Sequence, residues 1–542
     1  MPLEPLRRLR RVNSLQAGFA VSLWLVAFCN VAFWRIVWKA VSADGAQGVV
    51  FMASGFVVAV LFVNAFVCLV VLPRAGKPLL ILLLLVSAVA AHFMDSYGAV
   101  LDHEMIRNVF ETDTREAAEL LSWKLAAYVA ILGVLPSAWV AWADIRFRPW
   151  WREVLARAAM LGVSAVCMSA ILYAGYRDYA SLLRNHMELK HVLNPTGYLG
   201  SLRWYVAHKY APAPPLVRIG EDARRGPAWA GMQRRTATVI VIGETARAAN
   251  FSLGGYGRDT NPQLARRDVL YFTDVTACGT STAASLPCMF SDLGRAGRDD
   301  GREAHRENLL DVLARSGFAV KWRDNNSGCK GVCARTGMED VSVRKDAELC
   351  PHECYDAVLL EGLPQLLRGA DGDLVLVLHQ KGSHGPSYYL RYPRQYEVFK
   401  PVCRTNQLET CTPDEIVNAY DDSILYTDRF LAQAIDLLKA QDGLDTALLY
   451  VSDHGESLGE GGVYLHGLPW SLAPKAQKRV PMLLWMSDGF RARFGLDRAC
   501  LHGRTRQPWS HDNLFHSVLG MLDVRTAAYR AELDLFHGCR PG

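Results

Sequence analysis

The sequence predicts a chain in two parts: an N-terminal domain of five membrane-spanning helices, then an α/β domain built on a mainly parallel central sheet. Three observations carry this. Five apolar stretches crowd the first third of the chain, near residues 15–38, 49–72, 79–100, 123–144 and 154–176, each about the ~20 residues a bilayer requires. Further on, short apolar runs end abruptly in acids, imidazoles or amides. Val239 to Ile242 gives way to Gly243 and Glu244, and Ala447 to Val451 to Ser452, Asp453, His454, Gly455 and Glu456. Leu374 to Leu378 leads into His379 through His384, and Ala319 to Trp322 into Arg323, Asp324, Asn325 and Asn326. Such runs suit central strands of a parallel sheet. Third, ten of the thirteen cysteines fall after residue 270, in close pairs.

A single apolar stretch could be a buried core helix; five in succession argue for a membrane. Arg7, Arg8, Arg10 and Arg11 precede the first, as in a signal peptide, but no small-residue cleavage site follows. Arg74 and Lys77, then Arg146, Arg148, Arg152 and Arg157, fall in loops on the side of the N-terminus, which makes that side cytoplasmic. Arg35 and Lys39 run against this rule and reach headgroups by snorkelling. Five spans then place the C-terminal domain outside.

The outer loop HEMIRNVFETDTREAAELL sets Asn108, Thr112 and Glu116 at i, i+4 and i+8, one helical face. On spacing alone this is a solvated face. Residues 177–210 read as amphipathic interfacial helices, and APAPPL, 211–216, as a stiff linker. The expected division is 1–176 for the membrane domain, 177–235 for interfacial helices and linker, and 236–542 for the soluble domain.

With 542 residues the chain is long enough for more than one domain. Hydrophobic residues make up 51%, with the excess in the first third. A net charge of +5 without a long basic stripe gives no nucleic-acid signature, and no nucleic-acid partner is expected. The cysteine pairs are Cys278 with Cys288, Cys329 with Cys333, Cys350 with Cys354 and Cys403 with Cys411, leaving Cys500 and Cys539. Disulfides in an oxidising compartment are the preferred reading. A four-thiolate zinc site from Cys329, Cys333, Cys350 and Cys354 is the rival. Cys29, Cys68 and Cys167 lie in apolar stretches and are expected free.

Ligands bind beyond the carboxyl ends of strands in open α/β sheets. Glu244, Asp453 and His454 therefore form a mixed oxygen and nitrogen set that suits Zn²⁺ with one open position. The bland alternative is an Asp cap with a satisfied histidine beside it. A nucleophile should face the open position, and Thr280 in CGTSTA is the candidate. By composition Thr280, Ser281 and Thr282 are nearly equivalent. The segment opens a helix, whose N-terminus welcomes phosphate. His384 in KGSHGP and His466 in YLHG are placed to hold a second metal or the acceptor phosphate, or to act as general acid and base. Ser327 and Lys330 in NNSGCKG are candidate phosphate ligands.

Taken in order, GETARAANFSLGGYGRDTNP, CGTSTAASLPCMFS, WRDNNSGCKGVC, HQKGSHGPSYY, YDDSILYTD and SDHGESLGEGGVYLHG resemble the lipid A phosphoethanolamine transferases, including the mobile colistin-resistance enzymes. The resemblance covers nearly the whole chain. It implies an alkaline phosphatase/sulfatase-type α/β domain facing the periplasm, on a multi-pass inner-membrane protein. It implies a threonine nucleophile, read here as Thr280, and a zinc site of Glu244, Thr280, Asp453 and His454. His384 and His466 match additional histidines of the family. Asn108, Thr112, Glu116, Ser327 and Lys330 match positions linked to its substrate. The implied reaction moves phosphoethanolamine from phosphatidylethanolamine through a threonine intermediate to a phosphate of lipid A, by a monomer. The added ammonium offsets negative charge and weakens binding of cationic peptides such as polymyxin. The rivals are the same chemistry on a core heptose or other envelope glycan, and a non-catalytic membrane-anchored sensor of lipid or metal.

Overall fold

The computed structural model describes residues 10–42, 45–112, 114–186, 188–212, 214–231, 233–299 and 301–540. The chain divides into two units. One comprises residues 1–110 with 121–211, the other 111–120 with 212–542.

Among the described residues of the first unit four helices are long and apolar enough to cross a membrane: Ala46–Val70, Gly76–Tyr97, Trp123–Trp142 and Trp150–Ala174. The expected single span over 15–38 is instead a pair, Ser14–Phe28 and Val31–Val41, bent by 60°. Asn30 sits at the break. Its buried amide donates to the carbonyls of Leu25 (2.8 Å) and Asn194 (3.1 Å), and its Oδ1 accepts from Asn194 N (2.7 Å). A side chain thus takes the place of continuing backbone pairing, a recognised cause of a kink. In Trp123–Trp142, Pro136 has no N–H for the Leu132 carbonyl. The helix widens into a π turn over Val129–Val134, and Trp24 Nε1 donates to Leu132 O at 3.1 Å. The freed carbonyl is thereby satisfied inside an apolar environment. Arg157 reaches the carbonyls of Cys68 and Val71, where Ala46–Val70 ends. Tyr176–Asn185, Leu189–Val192 and Thr196–Lys209 follow as shorter helices.

The second unit is organised on seven strands: β1 (Arg235–Gly243), β2 (Leu270–Phe272), β3 (Ala319–Asp324), β4 (Met338–Asp340), β5 (Leu374–His379), β6 (Leu444–Ser452) and β7 (Met482–Met486). The spatial order is β2-β7-β6-β1-β5-β3-β4. From β6 through β1, β5 and β3 to β4, all neighbours pair parallel; β7 pairs antiparallel with both β6 and β2. Alternation along β1 feeds two cores. Ala237, Val239 and Val241 join the apolar cluster on one side of the sheet, and Ile240 and Ile242 the cluster on the other. Burial on both faces is why the run is continuously apolar.

Helix Pro413–Lys439 covers the first of these faces. Thr412 and Glu415 form its capping box, with Pro413 in the first turn. Ile416, Ala419, Tyr420, Ile424, Leu431, Ile435 and Leu438 are buried from it, at the three- and four-residue spacing of one helical face.

Five disulfides join Cys278 to Cys288, Cys329 to Cys333, Cys350 to Cys354, Cys403 to Cys411 and Cys500 to Cys539. Cys29, Cys68 and Cys167 are free.

Candidate active site

Register brings the chemistry together. Gly243 of β1 lies opposite Ser452 of β6, and Ile242 lies opposite His379 of β5. His379 in turn lies opposite Asp324 of β3. Glu244 and Asp453 are each one residue beyond a register pair, so they leave the same sheet edge side by side. Asp453 N extends the ladder to Gly243 O at 2.9 Å. The backbone around Glu244 is held from several directions. Ala246 N donates to Ser452 Oγ (2.9 Å), Tyr420 Oη to Thr245 O (2.7 Å) and Ser383 N to Glu244 O (3.0 Å). At Gly382, with φ +55°, a Cβ would sit 2.5 Å from Glu244 O; only glycine permits that approach.

Glu244, Asp453 and His454 are fully buried, and one ligand atom from each lies within 4.8 Å of the others. His454 Nε2 is 3.2 Å from Glu244 Oε1 and 3.5 Å from Asp453 Oδ2. His454 Nδ1 donates to Gly455 O at 2.9 Å, which turns Nε2 toward the carboxylates. Burial opposes ionisation of Glu244, but the hydrogen bond and charge of His454 outweigh it and hold the carboxyl well below its usual range. Burial and the charge of Glu244 raise Asp453 to about 6. His454 is raised to about 10, burial being overcome by the charge of Asp453 and by the hydrogen bond and charge of Glu244.

The residues fit a divalent cation. Asp453 Oδ1 accepts from His454 N and Thr245 N, while the buried Oδ2 has no hydrogen bond among the described residues. A buried carboxylate oxygen without a donor, beside a second carboxylate and an imidazole nitrogen, is a donor set that Zn²⁺ would satisfy.

The hydroxyl at this centre is that of Thr282, not Thr280. Thr282 Oγ1 donates to Glu244 Oε2 at 2.8 Å and lies 3.4 Å from His454 Nε2. Thr282 is the first residue of helix Thr282–Met289, with Ser281 as its N-cap. Thr280 Oγ1 instead donates to Leu468 O at 2.7 Å, and Thr280 O accepts from Gly467 N at 2.8 Å. Thr280 therefore fastens the loop that carries His466. The Cys278–Cys288 disulfide, with Cys278 N bonded to His511 Nδ1 at 3.0 Å, fixes the start of the segment.

Two further histidines border the centre. The ring centroid of His466 is 4.4 Å from that of His454 and 5.3 Å from that of His384. His466 Nδ1 is 3.0 Å from Glu456 Oε2, and Tyr388 Oη donates to Glu456 Oε1 at 3.1 Å. The His384 carbonyl accepts from Arg391 Nε at 2.7 Å. Arg391 is buried and also pairs with Glu119 at 2.6 Å and with Glu353.

Asn326 and His379, absent from the expected site, belong to it. Asn326 Nδ2 donates to Glu244 Oε2 at 2.6 Å and to Gln380 O at 3.0 Å. His379 Nδ1 is 2.6 Å from Asp324 Oδ1. Burial works against the Asp324 charge, but His379 overcomes it and lowers the carboxyl to about 2. Both residues lie at strand ends of the sheet, and the strand-end rule applied to amides as well as acids finds them.

Ser327 follows Asn326, its backbone N donating to Asn326 Oδ1 at 2.9 Å. Lys330 Nζ donates to Ser327 O at 3.1 Å. The expected single face of Asn108, Thr112 and Glu116 does not form: helix His103–Glu111 ends before Thr112, and a second helix runs over Thr114–Glu119. Asn108 falls in the first unit and Thr112 in the second. The Glu116 side chain lies outside the described residues.

Two family models match the chain: a sulfatase model over residues 236–524, and a model described as phosphoethanolamine transferase EptA/EptB over residues 58–210. The chain is 42% identical to phosphoethanolamine transferase EptA of Escherichia coli (strain K12), over 99% of each. It is 41% identical to phosphatidylethanolamine transferase Mcr-1 of Escherichia coli, over 76% of this chain and 78% of that one. The integral membrane protein lipooligosaccharide phosphoethanolamine transferase A from Neisseria meningitidis superposes with a TM-score of 0.95 at 36% identity, covering 98% of this chain and 100% of that one.

Proposed function

Since the chain belongs to the phosphoethanolamine transferase family, we propose that it transfers phosphoethanolamine from phosphatidylethanolamine to a phosphate of lipid A. The observation that carries the reading is the Thr282 hydroxyl bonded to Glu244 at the buried Glu244–Asp453–His454 cluster. The chain is a multi-pass membrane protein with a soluble catalytic domain. In this reading residues 1–176 span the inner membrane with the N-terminus in the cytoplasm, 177–235 lie at its surface, and 236–542 work in the periplasm as a monomer.

Thr282 Oγ1 attacks the phosphorus of the donor. Its proton leaves along the hydrogen bond to Glu244 Oε2 and passes on to the diacylglycerol oxygen, the Oγ1–P bond forms, and the bond from phosphorus to that oxygen breaks, so diacylglycerol departs as the alcohol. The product of this half is a phosphoethanolamine ester of Thr282. In the second half an oxygen of the lipid A phosphate attacks the same phosphorus, and Thr282 Oγ1 leaves and regains a proton. His466, steadied through Nδ1 by Glu456, and His384 beside it hold the incoming phosphate and move the proton. Glu244, Asp453 and His454 would hold Zn²⁺, which when bound acidifies a hydroxyl and offsets phosphate charge. Ser327, Lys330 and Thr112 contact the donor headgroup.

The outcome is a lipid A of lower negative charge and reduced attraction for polymyxin and other cationic peptides. Mass spectrometry of lipid A from cells expressing the wild type tests this. A gain of one phosphoethanolamine unit supports it. A gain on core sugars or another glycan alone moves the acceptor, and no gain anywhere removes the transferase reading.

A further inference from the structure

A cavity of about 350 Å³ opens in the second unit beside the Glu244 cluster, with Asn326, Ser327, Asp340, Glu353 and Lys381 in its wall. Asn326 is the partition between the two, since its Nδ2 is bonded to Glu244 Oε2. Lys381 is only 7% exposed. Its backbone N donates to Asp356 Oδ1 at 2.7 Å, but Nζ makes no hydrogen bond among the described residues, and the paired carboxylate oxygen, Glu353 Oε1, is 4.0 Å away. A buried ammonium without a hydrogen-bonded acceptor is costly to keep.

The carboxylates of the same wall are engaged elsewhere. Glu353 pairs with Arg391. Asp324 is bonded to His379 Nδ1, Trp322 Nε1 and the backbone N of Asn326 and Gly328. Asp340 Oδ1 accepts from Ser342 N and Oγ. Among these charged groups the one with donors to spare is Lys381. A compact anion with several acceptor oxygens matches three ammonium hydrogens.

We propose that this cavity binds a phosphate group, with Lys381 Nζ as its counter-charge. Three bearers share that chemistry: the phosphate of the acceptor lipid, the donor phosphate that Ser327 of the same wall would contact, and free inorganic phosphate. The inference rests on the transferase reading only for which of these is the bearer.

The test uses the full chain in detergent micelles and inorganic phosphate as the probe, measured by titration calorimetry at fixed ionic strength. Lys381→Met is expected to weaken phosphate binding by about tenfold or more, the scale of one charged hydrogen bond, and Lys381→Arg to recover most of it. Lys381→Gln stands in if Lys381→Met does not melt cooperatively. Equal phosphate affinity in wild type and the neutral variants overturns the proposal. So does a wild type that binds no phosphate together with an unchanged KM for both lipids in Lys381→Met.

The second arm separates the bearers. If the KM for lipid A rises about tenfold while the KM for phosphatidylethanolamine holds, the acceptor phosphate occupies the cavity, and the reverse pattern assigns it to the donor phosphate. If phosphate binding weakens and the KM for both lipids holds, the site serves the free anion. Phosphate binding needs no turnover, so it is measured equally well in Thr282→Ala protein. Failure of the transferase reading and failure of this site are thereby distinct results.

Discussion

Thr282 Oγ1 rests 2.8 Å from Glu244 Oε2, while Thr280, two residues earlier in the same segment, commits its hydroxyl to Leu468 O at 2.7 Å. The two threonines are expected to separate in function. Thr282→Ala removes the attacking oxygen and should lower transfer by about a thousandfold or more. Thr280→Ala should leave transfer measurable, with a loss traced to the loosened His466 loop. Lipid A mass spectra of both variants read this directly. Full activity in Thr282→Ala with none in Thr280→Ala would reverse the assignment.

Metal binding should depend on pH with a definite sign. His454 is raised to about 10, so in metal-free protein it carries a proton across the neutral range. Coordination requires the neutral ring, and one proton must leave per ion bound. Between pH 7 and 9 the Zn²⁺ dissociation constant is expected to fall about tenfold for each unit the pH rises. Below about 6, where Asp453 also holds a proton, the dependence should steepen. Calorimetry in buffers of different ionisation enthalpy counts the released proton. An affinity flat from pH 7 to 9 would contradict the protonated His454.

Arg391 ties three segments together, bonding the His384 carbonyl, Glu119 and Glu353. Arg391→Met takes a buried guanidinium away from two half-buried carboxylates, of which Glu353 keeps Lys381 at 4.0 Å. The cost for such a broken pair is about 3–5 kcal/mol, to be read as a fall in denaturation midpoint. Adding Glu119→Gln to Arg391→Met should cost less than it does in the wild type, because the partner is already gone. Strict additivity would mean that the pair is uncoupled.

The Cys278–Cys288 bridge closes a loop that contains Thr280, Ser281 and Thr282. Replacing both cysteines with serine is expected to cost about 2–4 kcal/mol of stability. It should also lower kcat more than the equivalent change at Cys500 and Cys539, whose bridge lies outside the CGTSTA segment. Parallel thermal melts and steady-state assays of the two double variants compare them.

Glu244, Asp453 and His454 were legible because strand-end position is a strong constraint. A buried acid at the end of an apolar strand is costly unless something there meets its charge, and parallel register brings such ends together. The choice between Thr280 and Thr282 was not legible in the same way. Thr280 and Thr282 stand on either side of the N-cap, where extended backbone gives way to helix, and the pattern CGTSTA does not say where that cap falls. The structure sets it at Ser281, which points Thr282 at the cluster. The Asn108, Thr112 and Glu116 face failed for a related reason: i, i+4, i+8 spacing means one face only if the helix is unbroken, and it ends at Glu111. The kink at Asn30 was hidden because its partner, Asn194, is far away in sequence.

Residues 111–120 belong with 212–542, although the chain before and after them belongs to the other unit. The polypeptide therefore passes between the units three times, and no single cut separates them cleanly. A fragment beginning at residue 212 would retain the cluster, the disulfides and the sheet, yet would lack Glu119. Arg391 would keep Glu353 and the His384 carbonyl, and one side of its guanidinium would meet solvent. Activity measured on such a fragment would report a centre missing one of its own walls, and low turnover there would be no guide to the intact enzyme.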